Sequence, residues 1–253
     1  MNSILDNPFI VFTVSLIAQW LAAYAGDFLR GRRRPVRKDE REDLDIVETA
    51  TLTLLALIVG FSFSMAVTRY DLRKNYEEAE ANAIGTEYVR ADLLPVEDAV
   101  SVRELLRRYL DQRIASYLSR EEREISQTDT ESAKLQATLW SAILPVANAR
   151  PTPVTALVVA GMNDVLNSQS RTQAAWWNRI PVAAWSLMGL IAIACNLLLG
   201  YGEHRKGTLL LLVLPVVVSI SFLLIADIDS PRGGIIRVLP LSLIALSYSI
   251  KAQ

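Results

Sequence analysis

The sequence predicts an all-α membrane protein with four transmembrane helices and a helical extramembrane bundle inserted between the second and third. Two observations carry this. Four runs, Asn7–Gly26, Thr49–Thr68, Ile180–Gly202 and Gly207–Ala226, contain no charged side chain. Each has the roughly 20 residues a helix needs to cross about 30 Å of hydrocarbon. A soluble helix rarely stays uncharged so long, because its solvent face must be polar. The long segment between the second and third runs is rich in Ala, Glu, Arg and Leu and has no alternating apolar run, so it reads as helices rather than strands.

The division along the chain is therefore 1–68 for two spans with a basic loop at 30–48, 69–179 for the helical domain, 180–226 for spans three and four, and 227–253 for an interfacial or docked tail. The first run ends in Ala23-Tyr24-Ala25, a small-x-small pattern that a signal peptidase reads. With Asp6 where a basic leader belongs and an apolar stretch longer than a signal core, it is read as an uncleaved span.

The second span has no Gly or Pro at its end, so it continues as one helix to about Leu94, where Pro95 stops it. Next, Val102, Leu105, Leu106, Tyr109, Leu110, Ile114, Tyr117 and Leu118 form one apolar helical face. A further helix runs through Leu135, Leu139, Ile143 and Val146, with Thr128 or Thr130 placed to cap it. After the turn at Asn148–Pro153, Leu157, Val158, Gly161, Met162, Val165 and Leu166 mark another helix. Such faces bury one another as a bundle. Asn82, Gly85 and Thr86 mark a close helix crossing, and Pro215 a kink or hinge in the fourth span. Tyr70, Trp176, Trp177 and Tyr201 sit at span ends, where aromatic rings anchor at the interface.

Charge sets the orientation. Arg30, Arg32, Arg33, Arg34, Arg37, Lys38 and Arg41 crowd the first short loop, and His204-Arg205-Lys206 the second. Basic short loops stay cytoplasmic, which places residues 69–179 outside the cytoplasm. The formal net charge of −1 gives no case for nucleic acid as a partner. Cys195, the single cysteine, falls in the third span and implies no internal disulfide.

Several stretches resemble the bestrophin-like domain family of bacterial membrane proteins. They are Gly60-Phe61-Ser62-Phe63-Ser64 leading to Arg69-Tyr70-Asp71, Glu80-Ala81-Asn82-Ala83-Ile84-Gly85-Thr86, and Arg90-Ala91-Asp92-Leu93-Leu94-Pro95. Asn178-Arg179-Ile180-Pro181, Asp227-Ile228-Asp229-Ser230-Pro231-Arg232 and Gly234-Ile235-Ile236-Arg237-Val238 complete the pattern, from about Ala50 to Val238. The resemblance implies a distant likeness to bestrophins, which are pentameric anion channels, and brings no catalytic residue. Bestrophins keep their extramembrane domain cytoplasmic, opposite to the orientation the loop charges imply.

On the second span Thr49, Thr53, Ala56, Gly60 and Ser64 repeat at three or four residues, with Thr68 one turn on. Small residues let helix backbones approach closely, and hydroxyls also replace an ion's hydration shell. Thr49, Thr53, Gly60, Ser64 and Thr68 are the pore-lining candidates, with helix packing as the alternative. Arg69, Asp71, Arg73, Arg179, Asp227, Asp229 and Arg232 fall where spans two, three and four end at one membrane face. They form either a set of ion pairs or a charged mouth that concentrates ions.

His204 is the only histidine, and no phosphate-cradling Gly loop, nucleophile elbow or Cys/His cluster occurs, so no enzyme, metal site or cofactor is expected. Four helices fill their own centre, so a channel must be a homo-oligomer. The sequence thus points to a homo-oligomeric bestrophin-like ion channel, anion-conducting, in the bacterial inner membrane. Its partners are the lipid bilayer, inorganic ions and its own copies. The alternative is a membrane-anchored helical interaction or sensory module without transport.

Overall fold

The computed structural model describes residues 7–31, 38–202 and 210–252. All regular structure among them is helical: α1 (Pro8–Gly31), α2 (Lys38–Arg90), α3 (Val96–Leu118), α4 (Glu122–Ala149), α5 (Pro153–Trp177), α6 (Val182–Gly202), α7 (Leu210–Asp229) and α8 (Leu241–Lys251), with a 3-10 turn at Ala91–Leu93. Four helical stretches among the described residues are long and apolar enough to cross a membrane, and each overlaps one of the four uncharged runs; residues 207–209 of the fourth run lie outside the described residues. His204-Arg205-Lys206 and Arg32, Arg33, Arg34 and Arg37 of the basic loop lie outside the described residues.

The chain forms two compact units. The first comprises residues up to Arg69 and Arg179–Arg237; the second comprises Tyr70–Asn178 and Val238–Gln253.

In the first unit α1 packs against α6 and α7. The core is built from Leu55, Met188, Ala192, Cys195, Val218, Phe222 and Ala226, with Trp185 edge-on to Phe222 at 6.0 Å between ring centroids. Two glycines set the α1–α6 approach. A Cβ at Gly200 would collide with the Ala23 backbone, and one at Gly26 with that of Leu197 and Tyr201. Polar groups join the same helices: Asn196 Nδ2 donates to Gln19 Oε1 at 3.0 Å, and Gln19 Nε2 to Ser219 Oγ at 3.1 Å. Such interhelical bonds give buried amides partners that lipid cannot supply. α7 runs on through Pro215 as a helix.

In the second unit, α2 remains helical to Arg90, tightens into the 3-10 turn and leaves Leu94 extended before Pro95, as the steric demand of proline on its predecessor requires. Its core joins Ile84, Tyr88, Val102, Leu106, Tyr109, Leu110, Leu139, Ile143, Val158, Met162 and Val165. Among the residues expected on apolar faces, Leu118 and Leu157 are instead exposed.

Helix α4 starts at Glu122, ahead of the expected caps Thr128 and Thr130. Their hydroxyls sit inside the helix and donate to the carbonyls of Ile125 and Ser126 at 2.9 and 2.8 Å. Glu122 and Glu124 in the first turn favour the earlier start, because carboxylates complement the positive end of the helix dipole. Helix α5 has a true capping box: Thr152 Oγ1 accepts from Thr155 N, and Thr155 Oγ1 from Thr152 N. Trp176 packs edge-on to Tyr117 at 4.9 Å between centroids, within the bundle.

The tail forms α8, seated in this unit. Leu243 is fully buried and its N–H donates to Glu77 Oε1 at 2.9 Å. Gly85 of α2 faces Leu246 of α8, 2.9 Å from where a Cβ would stand, so the crossing expected at this glycine is made with the chain's own last helix.

Candidate functional site

The stripe on α2 is open. Thr49, Thr53, Gly60, Ser64 and Thr68 are all exposed, and nothing lies within 4 Å of a Cβ built on Gly60. Thr53 and Thr68 donate their hydroxyls to the carbonyls of Thr49 and Ser64, at 2.8 and 2.9 Å. This is the back-bonding that lets a hydroxyl sit on an apolar helix without an unmet donor. Within the protomer these small residues are therefore not packing another helix.

On one side of the stripe, Ala56 and Gly60 border an apolar groove of about 480 Å³, walled across by Leu214, Val217 and Ser221 of α7. On the other side Leu57 and Phe61 are exposed and continue at helical spacing into Ser64 and Thr68. Sequence reasoning passed over Leu57 and Phe61 because exposure of large apolar residues cannot be told from burial by periodicity.

The charged candidates divide between the units. In the first, Arg69 Nη1 stands 3.9 Å from Asp229 Oδ1, and the Asp229 carboxylate accepts from Ile180 N at 3.1 and 3.2 Å. Asp227 accepts from the N–H groups of Ile235 and Ile236 at 2.7 and 2.8 Å. Gly234 lets that loop close, since a Cβ there would come within 2.6 Å of Asp227. Both carboxylates are buried and shape the backbone around the ends of α6 and α7. Arg179 and Arg232 are partly exposed in the same unit.

Asp71 and Arg73 belong to the second unit. Asp71 is exposed, whereas Arg73 is buried and donates to the carbonyls of Ala175 and Asn178, each at 3.3 Å. Among the described residues no group of three His, Cys, Asp or Glu side chains could hold a metal ion.

The second unit carries a polar core that the sequence did not announce. Arg113 and Glu80 pair at full burial, and Tyr117 and Thr172 donate to the same carboxylate at 3.2 Å each. Burial alone would lower the Arg113 pKa, but Glu80 beside it reverses the direction, so the guanidinium stays charged. In the first unit the Asn196–Gln19–Ser219 chain was likewise missed. An amide inside an uncharged run is the signal that could have found it, because it needs a partner on another helix.

A sequence model of the Bestrophin-like domain matches residues 19–243. Among solved structures, the chain is similar to a single-residue variant of a bacterial bestrophin homologue from Klebsiella pneumoniae. The identity is 14%, the TM-score is 0.63, and 99% of this chain and 97% of that one are covered. A second structure of a Klebsiella pneumoniae bestrophin homologue gives 14% identity and a TM-score of 0.62, covering 96% and 95%. No curated protein matches.

Proposed function

The chain belongs to the bestrophin-like domain family, and from that premise we propose that it is a homo-oligomeric, anion-conducting channel of the bacterial inner membrane, lined by the α2 face bearing Thr49, Thr53, Gly60, Ser64 and Thr68. The observation that supports the lining is the openness of that face: small and hydroxylated residues, which ordinarily sit in helix contacts, are exposed in the protomer, with empty space over Gly60. Several copies arranged around that face would enclose a path that one chain cannot. Hydroxyls and helix dipoles would then replace part of an ion's hydration.

Of the charged candidates, Arg69, Arg179, Asp227, Asp229 and Arg232 of the first unit are proposed as the charged mouth, in which Asp227 and Asp229 hold the backbone and the arginines supply the field. Loop charge favours the helical unit outside the cytoplasm.

The test is ion flux into liposomes bearing the purified protein, with native mass spectrometry of the same preparation. Chloride flux from a defined ring supports the channel. A folded oligomer that passes neither anions nor cations refutes it and leaves a membrane-anchored interaction module.

A further inference from the structure

A cleft of about 350 Å³ lies in the helical unit between α2 and α5. Asn82, Thr86 and Arg90 line it from α2, and Asp164, Ser168 and Arg171 from α5, each set at the three- to four-residue spacing of one helix face. Two guanidinium groups therefore open on one cavity whose wall holds a single carboxylate. Neither arginine makes an ion pair among the described residues; Arg90 donates to the Leu157 carbonyl at 3.4 Å.

Behind this lining, against Gly161 and one turn before Arg90, lies Glu87, fully buried, with no hydrogen-bond partner for either carboxyl oxygen among the described residues. Gly161 makes the position possible. A Cβ there would collide with Glu87 Oε2 and Arg90 Nη1, so both side chains use a notch that α5 leaves open. A buried carboxyl with no donor favours its neutral form. Burial pushes Glu87 up to about 8, with Arg90 pulling it down and Asp164 adding to the rise. Asp92, in the 3-10 turn that follows α2, is paired with Arg103. With Glu87 protonated, the cleft carries two positive charges against one negative.

We propose that this cleft binds a small oxyanion, a carboxylate or a tetrahedral anion, held by Arg90 and Arg171 with the Thr86 hydroxyl and Asn82 amide as neutral donors. The planar guanidinium fork matches paired oxygens better than a halide, which sets this site apart from any conduction path. The Ser168 hydroxyl is already spent on the Val165 carbonyl and serves as wall. Glu87 acts as the site's proton-linked counter-charge. Once ionised it compensates Arg90, so affinity falls as pH rises through its titration.

The experiment is calorimetric titration of the full-length protein in detergent with sodium sulfate and with sodium succinate, both doubly charged from about pH 6.5 to about pH 9. The expected result is saturable binding of at least one of them at the lower pH and about tenfold weaker binding at the higher. Arg90→Gln and Arg171→Gln should each weaken binding about tenfold, and Glu87→Gln should hold affinity constant with pH. Sulfate alone binding identifies a tetrahedral ligand, and succinate alone a carboxylate. No saturable binding of either, or binding indifferent to both arginine changes, overturns the site. Equal wild-type affinity at the two pH values overturns the role of Glu87. Should Glu87→Gln not fold, Thr86→Val on the exposed rim is expected to weaken binding several-fold at both pH values.

Discussion

Gly200 of α6 lies directly against the backbone of Ala23 of α1, and a Cβ on it would stand 2.8 Å from the Ala23 carbonyl carbon. A Cβ on Gly26 would stand at the same 2.8 Å from the Tyr201 nitrogen, so the close approach is made twice. Backbone cannot yield as a side chain can. Gly200→Val is therefore expected to destabilise by at least the about 1–3 kcal/mol typical of overpacking. Gly189→Val on the same helix, where nothing lies within 4 Å, should be near neutral. Thermal melts of the two variants in detergent compare them, and equal midpoints would contradict the reading.

Removing one member of the buried Glu80–Arg113 pair should cost far more than removing both. Glu80→Leu leaves a desolvated guanidinium unpaired, for which about 3–5 kcal/mol is expected. The double change Glu80→Leu with Arg113→Met should recover most of that. A double variant no more stable than the single one would show that the pair contributes through packing.

On α2, Gly60→Leu adds a side chain into space that is empty in the protomer, so the melting midpoint should stay within a few degrees of wild type. Flux in liposomes should fall by about tenfold or more, as should that of Thr53→Leu and Ser64→Leu. Unchanged flux in all three variants would remove α2 as the lining.

Glu87 gives the fold a pH dependence of defined sign. Its folded pKa is raised from 4.5 to about 8, so between those values the native state holds a proton that the unfolded chain releases. Stability should accordingly fall as pH rises through that window, and Glu87→Gln should flatten the fall. Denaturant melts at about pH 5 and about pH 8 check this; a wild-type protein whose stability rises across the window contradicts it.

A reporter that is active only in the periplasm, fused after the α8 segment, tests the orientation. The basic loops predict activity, because they hold the opposite face in the cytoplasm. An inactive, stably expressed fusion would put the helical unit in the cytoplasm, where bestrophins keep theirs.

What was legible in the sequence is what a single strong constraint dictates. Lipid forbids charge, so the four spans stand out as uncharged runs, and the second span had no Gly or Pro at its end to stop α2. The start of α4 was misread because the Thr128 hydroxyl suits a cap and an interior back-bond equally well. Glu87 gave no sign of itself. In a helix that also carries Glu77, Glu78 and Glu80, only Gly161, far along the chain, decides that this one is buried without a partner. Gln19 and Asn196 look like ordinary tolerated amides until α1, α6 and α7 bring them together with Ser219.

The seat of α8 has a bearing on how the protein is made. Val238, Leu243 and Ile250 complete a core whose other members come from residues 70–178, yet α6 and α7 must be synthesised before them. During translation the helical unit therefore waits with one wall missing while two spans enter the bilayer. Until α8 arrives, the Glu77 carboxylate and the apolar seat beside Gly85 stay open to chaperones and proteases. Closure of the bundle then marks a chain whose last two spans have already been translated, so a nascent protein that stalls or misinserts before that point remains a target for degradation.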